Sequence, residues 1–325
     1  MARVLVTGAT GCLGHQLALD LLAAGDDVLA QGRNKAATAQ LQAGGAEILL
    51  TDLRDGIGQH DLRGVQTVYH CAALSSAWGA EAEFTAVNVT ATADLLAAAR
   101  EAGVTRFVFA SSPSIYANGK DRFDLAEDAV LPLRMHSAYA RSKYQAEKLV
   151  LGSDRPDAMR CIAIRPRAIY GKGDRSLMPR LLAAIKRGRV PIIEGGGSLI
   201  DVTHVSDASR GMICAANAHA FGGTAYNITS GEGWQFQELL DAACTLSGAS
   251  PRRIHLSYRK AMGLAKTLET LHRIFAPRRE PVLTTQAVAS LGRSLTLDIS
   301  RARRDLGYQP KVTLREGIKD YADVL

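Results

Sequence analysis

Arg3-Val-Leu-Val-Thr7, followed at once by Gly8-Ala-Thr-Gly11-Cys-Leu-Gly14, is the stretch on which the fold turns. The first five residues read as a short buried strand. The residues after the glycines read as a helix with Leu13, Leu17, Leu21 and Leu22 on one face. Strand, glycine-rich turn and helix in that order are the setting of a dinucleotide-binding fingerprint. Glycines let the backbone turn tightly and approach a pyrophosphate, and the helix N-terminus offers unpaired N–H groups to the anion. Gly8, Thr10, Gly11, Cys12, Leu13 and Gly14 are therefore expected at a cofactor.

Working outward, strand-like runs follow at Asp27–Gln31, Glu47–Leu50, Thr67–Cys71 and Arg106–Ala110, with Ala-rich helical segments such as Val89–Glu101 between them. This alternation predicts an α/β fold, a Rossmann-type doubly wound parallel sheet with ligands at the carboxyl ends of its strands. Leu177–Lys186 and Phe236–Leu246 read as amphipathic helices, and Ala225–Ile228 as a strand returning to the main sheet. Residues 1–166 are expected to form the dinucleotide-binding domain, with 202–229 returning to it. Residues 167–201 and 230–325 are expected to form a smaller substrate-binding lobe.

The chain of 325 residues carries a formal charge of +7, but one segment accounts for it. Residues 252–279 hold eight bases and a single acid, Glu269; the remainder holds 31 of each sign. That argues against a generally basic nucleic-acid binder. The five cysteines are scattered without a C-x-x-C pair, so neither a disulfide framework nor a metal site is expected and a reduced cytoplasm fits best. A strand beginning at Arg3 leaves no room for a signal peptide, and no apolar run is long enough to span a membrane.

The second strand ends in Gln31-Gly32-Arg33-Asn34, where an NAD site usually has an acid for the ribose 2′-hydroxyl. Gly32 leaves space and Arg33 can meet a 2′-phosphate, so NADP(H) is favoured, with NAD(H) as the alternative. Asp52-Leu53, after the third strand, is expected to border the adenine, with a solvated turn acid as the competing reading.

The chemistry is expected between residues 111 and 143. Tyr139-Ala-Arg-Ser-Lys143 lies in a helical stretch, and a spacing of four puts phenol and ammonium on one face. Phe107-Val-Phe-Ala-Ser-Ser112 is a strand delivering two hydroxyls to the same rim. A phenol must lose roughly three pKa units, about 4 kcal/mol, to act as a base near neutrality. A nearby cation supplies roughly one to three units.

Together with His70-Cys-Ala-Ala73, Asn88, Ser111-Ser-Pro-Ser-Ile-Tyr116, Arg165-Pro166, Ile169-Tyr-Gly171, His204-Val205 and Asp207, these segments resemble the extended short-chain dehydrogenase/reductase superfamily over essentially the full chain. The resemblance implies that Tyr139 is the proton donor and acceptor. It makes Lys143 the ribose contact that lowers the Tyr139 pKa, and Ser112 the catalytic hydroxyl with Ser111 as fallback. It also implies cofactor contacts at Ala72, Ala73, Ser111, Tyr139 and Pro166.

Ala72-Ala73 with Trp78-Gly79, Arg165–Asp174 and the tail Asp298–Pro310 are most similar to 3β-hydroxysteroid dehydrogenase-like proteins, including bacterial 2-alkyl-3-oxoalkanoate reductases. These imply reduction or oxidation between a ketone and a secondary alcohol on a hydrophobic, 3-oxo acyl or sterol-like substrate. Trp78, Pro113, Ser114 and Ile169 are the expected pocket. Sugar-nucleotide dehydratases carry an Asp-Glu pair where Pro113-Ser114 stands, and many epimerases an Arg where Ile200 stands. A nucleotide-sugar epimerase stays as the alternative enzyme, with Arg167, Arg180 or Arg187 as substitute phosphate anchors, and an NADP-binding scaffold as the non-enzyme alternative. His204 and Asp207 read as structural.

From Ala261, the positions Leu264, Ala265, Leu268, Leu271 and Phe275 follow helical spacing, with cations on other faces. Residues 252–279 are expected to be a lid over the pocket, with peripheral membrane contact through 258–275 and a phosphate clamp as competing readings. The expected partners are thus a small hydrophobic substrate and no nucleic acid; membrane contact and a homodimer are left open.

Overall fold

In the computed structural model, which describes residues 2–218, 222–277 and 279–324, seven strands pair in parallel into one sheet. The first five are β1 (Arg3–Thr7), β2 (Asp27–Gly32), β3 (Glu47–Leu50), β4 (Thr67–His70) and β5 (Arg106–Ala110). The sheet order runs Thr224–Ile228, Arg160–Pro166, β5, β4, β1, β2, β3. Strand order reverses between β1 and β4, the crevice where such sheets receive ligands. Arg278 of the basic segment and residues 219–221 of the expected return segment lie outside the described residues.

Apolar runs explain the sheet. Val4, Leu5, Val6, Val28, Leu29, Phe107, Val108 and Phe109 are buried on both faces, as parallel strands under helices require. One face is closed by helix α1 (Cys12–Ala23), through Leu13, Leu17 and Leu21, and by the helix Val205–Asn217. The other is closed by Ala91–Glu101 and Ala138–Gly152. The predicted helix at Val89 instead begins earlier, at Glu81, and passes through a π-helical turn, Thr85–Thr90, before Ala91.

A smaller four-stranded sheet orders Gly233–Gln235, Leu199–Asp201, Leu295–Leu297 and Arg122–Leu125. The last strand comes from within the expected nucleotide-binding segment, so the chain visits the small lobe between β5 and the helix Ala138–Gly152. Met178–Lys186 and Phe236–Ser247 pack together in that lobe. The tail returns to the large sheet: Ala302 and Leu306 join its core, and the buried Tyr308 donates to the Thr229 carbonyl at 3.0 Å.

The basic segment forms a helix, Tyr258–Phe275, about 27 Å long. Ala261 and Ala265 pack on Ile193, Leu283 and Val288. The apolar stripe is split: Ala265 and Leu268 turn inward, while Leu264 (48% exposed), Leu271 (46%) and Phe275 (78%) face out. Small side chains make the closer seat against the lobe, leaving the large ones outside.

Candidate active site

The glycine turn at the end of β1 is shaped by close backbone approach. Gly8 has φ of +66°, and a Cβ there would lie 2.7 Å from the Ala72 Cα; a Cβ on Gly14 would lie 2.4 Å from the Gly8 carbonyl oxygen. Gly11 precedes α1 without a side-chain cap, leaving the first N–H groups of the helix for a ligand. Thr10 lies against Gly32, where a Cβ would come within 2.5 Å of its methyl group. Cys12 stands at the start of α1 and Leu13 is buried beneath the turn. This cradle fits a pyrophosphate.

Two buried side chains brace it. The Gln31 amide accepts from Gly8 N at 3.0 Å and donates to the Thr51 carbonyl at 2.6 Å, tying the turn to β2 and β3. His70 lies between the hydroxyls of Thr7 (2.7 Å) and Thr92 (2.8 Å), and burial pushes its pKa down to about 3. Thr7 Oγ1 also accepts from Ala72 N at 3.2 Å, fixing the Ala72-Ala73 strap that faces Gly8.

At the far end of β2, Arg33 is exposed and pairs with Asp52 at 3.1 Å. Arg54, which the sequence reading passed over, binds the same carboxylate at 2.8 Å. Arg54 first, then Arg33, holds the Asp52 carboxyl well below the usual carboxylate range. Leu53 is buried in the core below. An arginine two residues from a strand-end acid was the available signal for Arg54.

Tyr139 enters in the first turn of Ala138–Gly152, whose cap Ser137 accepts from Ala140 N at 3.1 Å. Lys143, four residues on, is 2% exposed. Its Nζ donates to the Ala110 carbonyl at 2.5 Å and sits 3.9 Å over the Phe109 ring. Ser112 caps the short turn Pro113–Tyr116 by accepting from Ser114 N at 3.2 Å, and it hydrogen-bonds to the Tyr139 phenol, as does Ser75. Ser111 points elsewhere: its hydroxyl donates to Glu147 at 2.6 Å, and Glu147 pairs with Arg165 at 2.5 Å in the interior. The backbone therefore directs one neighbouring hydroxyl to the phenol and the other to a structural ion pair.

The electrostatics differ from the expected push by Lys143. Burial raises the Tyr139 pKa, against smaller lowering by Ser112 and Ser75. Burial also pushes Lys143 down to about 7. Burial thus favours the neutral form of both groups, and Lys143 Nζ is committed to the Ala110 carbonyl rather than to the phenol. Asn88, in the π-helical turn, accepts from Leu74 N at 2.7 Å and donates to Ser142 Oγ at 2.9 Å, locking the strap to the catalytic helix.

Of the expected pocket residues, Ser114 borders a cleft between the two lobes. Pro113 is buried in its turn, and Ile169 packs on the large core with Pro166 nearby in the adjoining strand. Trp78 reaches the basic helix: its Nε1 donates to the Pro277 carbonyl at 2.8 Å, with Arg273 over its ring at 5.7 Å. His204 pairs with Asp320 at 2.9 Å and caps the helix Val205–Asn217, while Asp207 accepts from the backbone of Lys311 and Val312. Among the described residues no His, Cys, Asp and Glu cluster is placed to hold a metal, and no helix is long and apolar enough to cross a membrane.

A doubly wound sheet with a serine, tyrosine and lysine gathered at its carboxyl edge defines an enzyme of the nicotinamide-dependent short-chain dehydrogenase/reductase class. The chain belongs to the NAD dependent epimerase/dehydratase family, whose model matches residues 4–229. It is 34% identical over 318 residues to a 4-hydroxy-2-methyl-3-oxo-4-farnesyl-3,4-dihydroquinoline-1-oxide ketoreductase of Stigmatella aurantiaca, covering 97% of this chain and 94% of the relative. It is 32% identical over 330 residues to a 2-alkyl-3-oxoalkanoate reductase of Stenotrophomonas maltophilia, covering 98% and 97%. Among solved structures, MoeE5 in complex with UDP-glucose and NAD is 29% identical, with a TM-score of 0.79 over 99% of this chain and 98% of that one. The protein is an NAD(P)-dependent oxidoreductase that interconverts a ketone and a secondary alcohol.

Proposed function

We propose that the protein reduces the ketone of a hydrophobic 3-oxo acyl or sterol-like substrate, with NADP(H) preferred. The observation that carries this reading is the Tyr139 phenol hydrogen-bonded to Ser112, next to Ala140 on the interlobe cleft, with burial raising its pKa. A phenol held neutral is a ready proton donor. When bound, the nicotinamide supplies the hydride. Ser112 holds the carbonyl oxygen, Tyr139 delivers its proton to the oxygen as negative charge grows there, and the partly charged Lys143 below favours that charge. Gly8, Gly11, Gly14 and the α1 N-terminus hold the pyrophosphate. Arg33 and Arg54 stand where a 2′-phosphate would be, and both are free to exchange an exposed Asp52 contact for it.

The basic helix serves as the roof. It starts beside Gly119 and ends at Trp78, on loops at the reactive edge of the sheet. Its outward Leu264, Leu271, Ile274 (65% exposed) and Phe275, interleaved with Lys266 and Arg273, favour a second role in reversible contact with an anionic lipid surface.

The test is an NADPH-oxidation screen across 3-oxo acyl, steroid and nucleotide-sugar substrates. Turnover of the first two classes is expected; turnover confined to nucleotide sugars would replace this reading with the epimerase alternative. Flotation with anionic liposomes, with and without Leu271, Ile274 and Phe275 changed to Ser, tests the lipid contact; equal flotation of both proteins, or none of either, would end it.

A further inference from the structure

The cleft beside Tyr139 continues into the C-terminal lobe. Ser114 and Ala140 border it on the catalytic side, and Arg167, Gln286 and Arg293 on the far side. Among the described lining residues three are Lys or Arg and none is Asp or Glu. Arg293 is already engaged: its Nε donates to the Gly119 carbonyl at 3.2 Å and its guanidinium lies over the Tyr258 ring at 4.1 Å. Arg167 is different. Its Nε is buried and, among the described residues, has no hydrogen-bond acceptor; the same holds for Gln286 Oε1 across the cavity. The carboxylate that acts on Arg167 through space, Asp201, is committed to Leu297 N at 2.7 Å.

The aim of Arg167 is fixed by its backbone. It follows Pro166 at the end of a central strand, its N–H donates to the Ile228 carbonyl at 3.1 Å, and its carbonyl accepts from Thr203 Oγ1 at 2.6 Å. A guanidinium nitrogen left buried without an acceptor is costly, and a ligand oxygen relieves that cost. Resting on the ketone-reductase reading, we propose that Arg167 anchors a carboxylate on the substrate, which selects an acidic ketone of the 3-oxo acid type over a neutral sterol.

The juxtaposition gives the class. Ser114, on the cleft lining with Arg167, has its Oγ 3.0 Å from Ser112 Oγ, and Ala140 on the same lining follows Tyr139 in the chain, so a ketone held at the phenol would direct the rest of the substrate toward the cleft that Arg167 lines. The guanidinium offers paired N–H donors to both carboxylate oxygens while the ketone oxygen rests on Tyr139 and Ser112. Gln286, once its amide is turned, adds an N–H from the other wall.

Binding to the NADPH-saturated protein tests this without relying on turnover. By calorimetry, a long-chain alkanoate is expected to bind roughly ten- to a hundredfold more tightly than the alkanol of equal length. Arg167→Met should erase that difference, and Arg167→Lys should restore part of it. Equal affinity of the two probes for the unaltered protein overturns the proposal whether or not the variants fold. Tighter binding of uridine diphosphate than of the alkanoate overturns the carboxylate assignment in favour of a phosphate. Kinetically, Arg167→Met should lower the preference for a 3-oxo acid over its methyl ester at least about tenfold, through KM rather than kcat. An unchanged preference overturns the anchor. Failure of the unaltered enzyme to reduce either ketone refutes the reductase reading instead, and the alkanoate titration still reads Arg167.

Discussion

The glycine turn at the edge of the sheet and the interlobe region around Trp78 and Arg167 are built on opposite plans. At the edge, backbone geometry leaves little choice: Gly8 and Gly14 cannot carry a side chain without striking a backbone atom. In the second region Trp78 meets Pro277, and the cleft is lined by Arg167 and Gln286, pairs separated by more than a hundred residues, with a buried polar atom of Arg167 and of Gln286 left unpartnered among the described residues. One region is complete except for its ligand, whereas the other keeps freedom to fit different substrates.

Gly14→Ala should break the edge outright. Its Cβ would lie 2.4 Å from the Gly8 oxygen, so the turn must open. The expected loss is at least about a hundredfold in NADPH affinity by fluorescence titration, more than 2 kcal/mol. Unchanged affinity would show that the turn is not the pyrophosphate cradle.

That edge was legible because its chemistry is local. Five strands of the main sheet, the glycine turn and the Tyr139/Lys143 spacing all follow from periodicity within a few residues. The small sheet was not, since Arg122–Leu125 gains its partner only from Leu295–Leu297. The split of Ser111 and Ser112 needed strand orientation and the Glu147–Arg165 pair, which no local pattern shows. Which of the apolar positions of Tyr258–Phe275 turn inward was not legible from their spacing, because Ala261 and Ala265 pack on Ile193, Leu283 and Val288.

Lys143 sharpens the comparison through pH. Its folded pKa of about 7 lies below the ordinary 10.5, so unfolding takes up a proton between those values. Stability therefore rises with pH across about 7 to 10.5, and the burial penalty is fully present below that window. In Lys143→Met this slope should vanish, with the variant the more stable at neutral pH and the difference closing by pH 10.5. Parallel melting curves at every pH would contradict the buried-ammonium account.

Removing both Arg33 and Arg54 to Ala should narrow the ratio of NADH to NADPH dissociation constants about tenfold, chiefly by weakening NADPH. An unaltered ratio would place cofactor choice elsewhere. The smallest effect is at the roof: Trp78→Phe deletes one hydrogen bond of about 1 kcal/mol and should raise KM severalfold with little change in kcat. An equal fall in kcat and kcat/KM would instead put Trp78 in the chemistry.

The central claim is that Tyr139 is the proton donor at an otherwise complete cofactor site. The most direct test measures NADPH binding and ketone-dependent NADPH oxidation side by side for the unaltered protein and Tyr139→Phe. The phenol lies apart from the glycine cradle, so NADPH affinity should stay within about twofold, while turnover should fall by roughly a hundredfold or more. Turnover surviving in the phenylalanine variant would contradict the account.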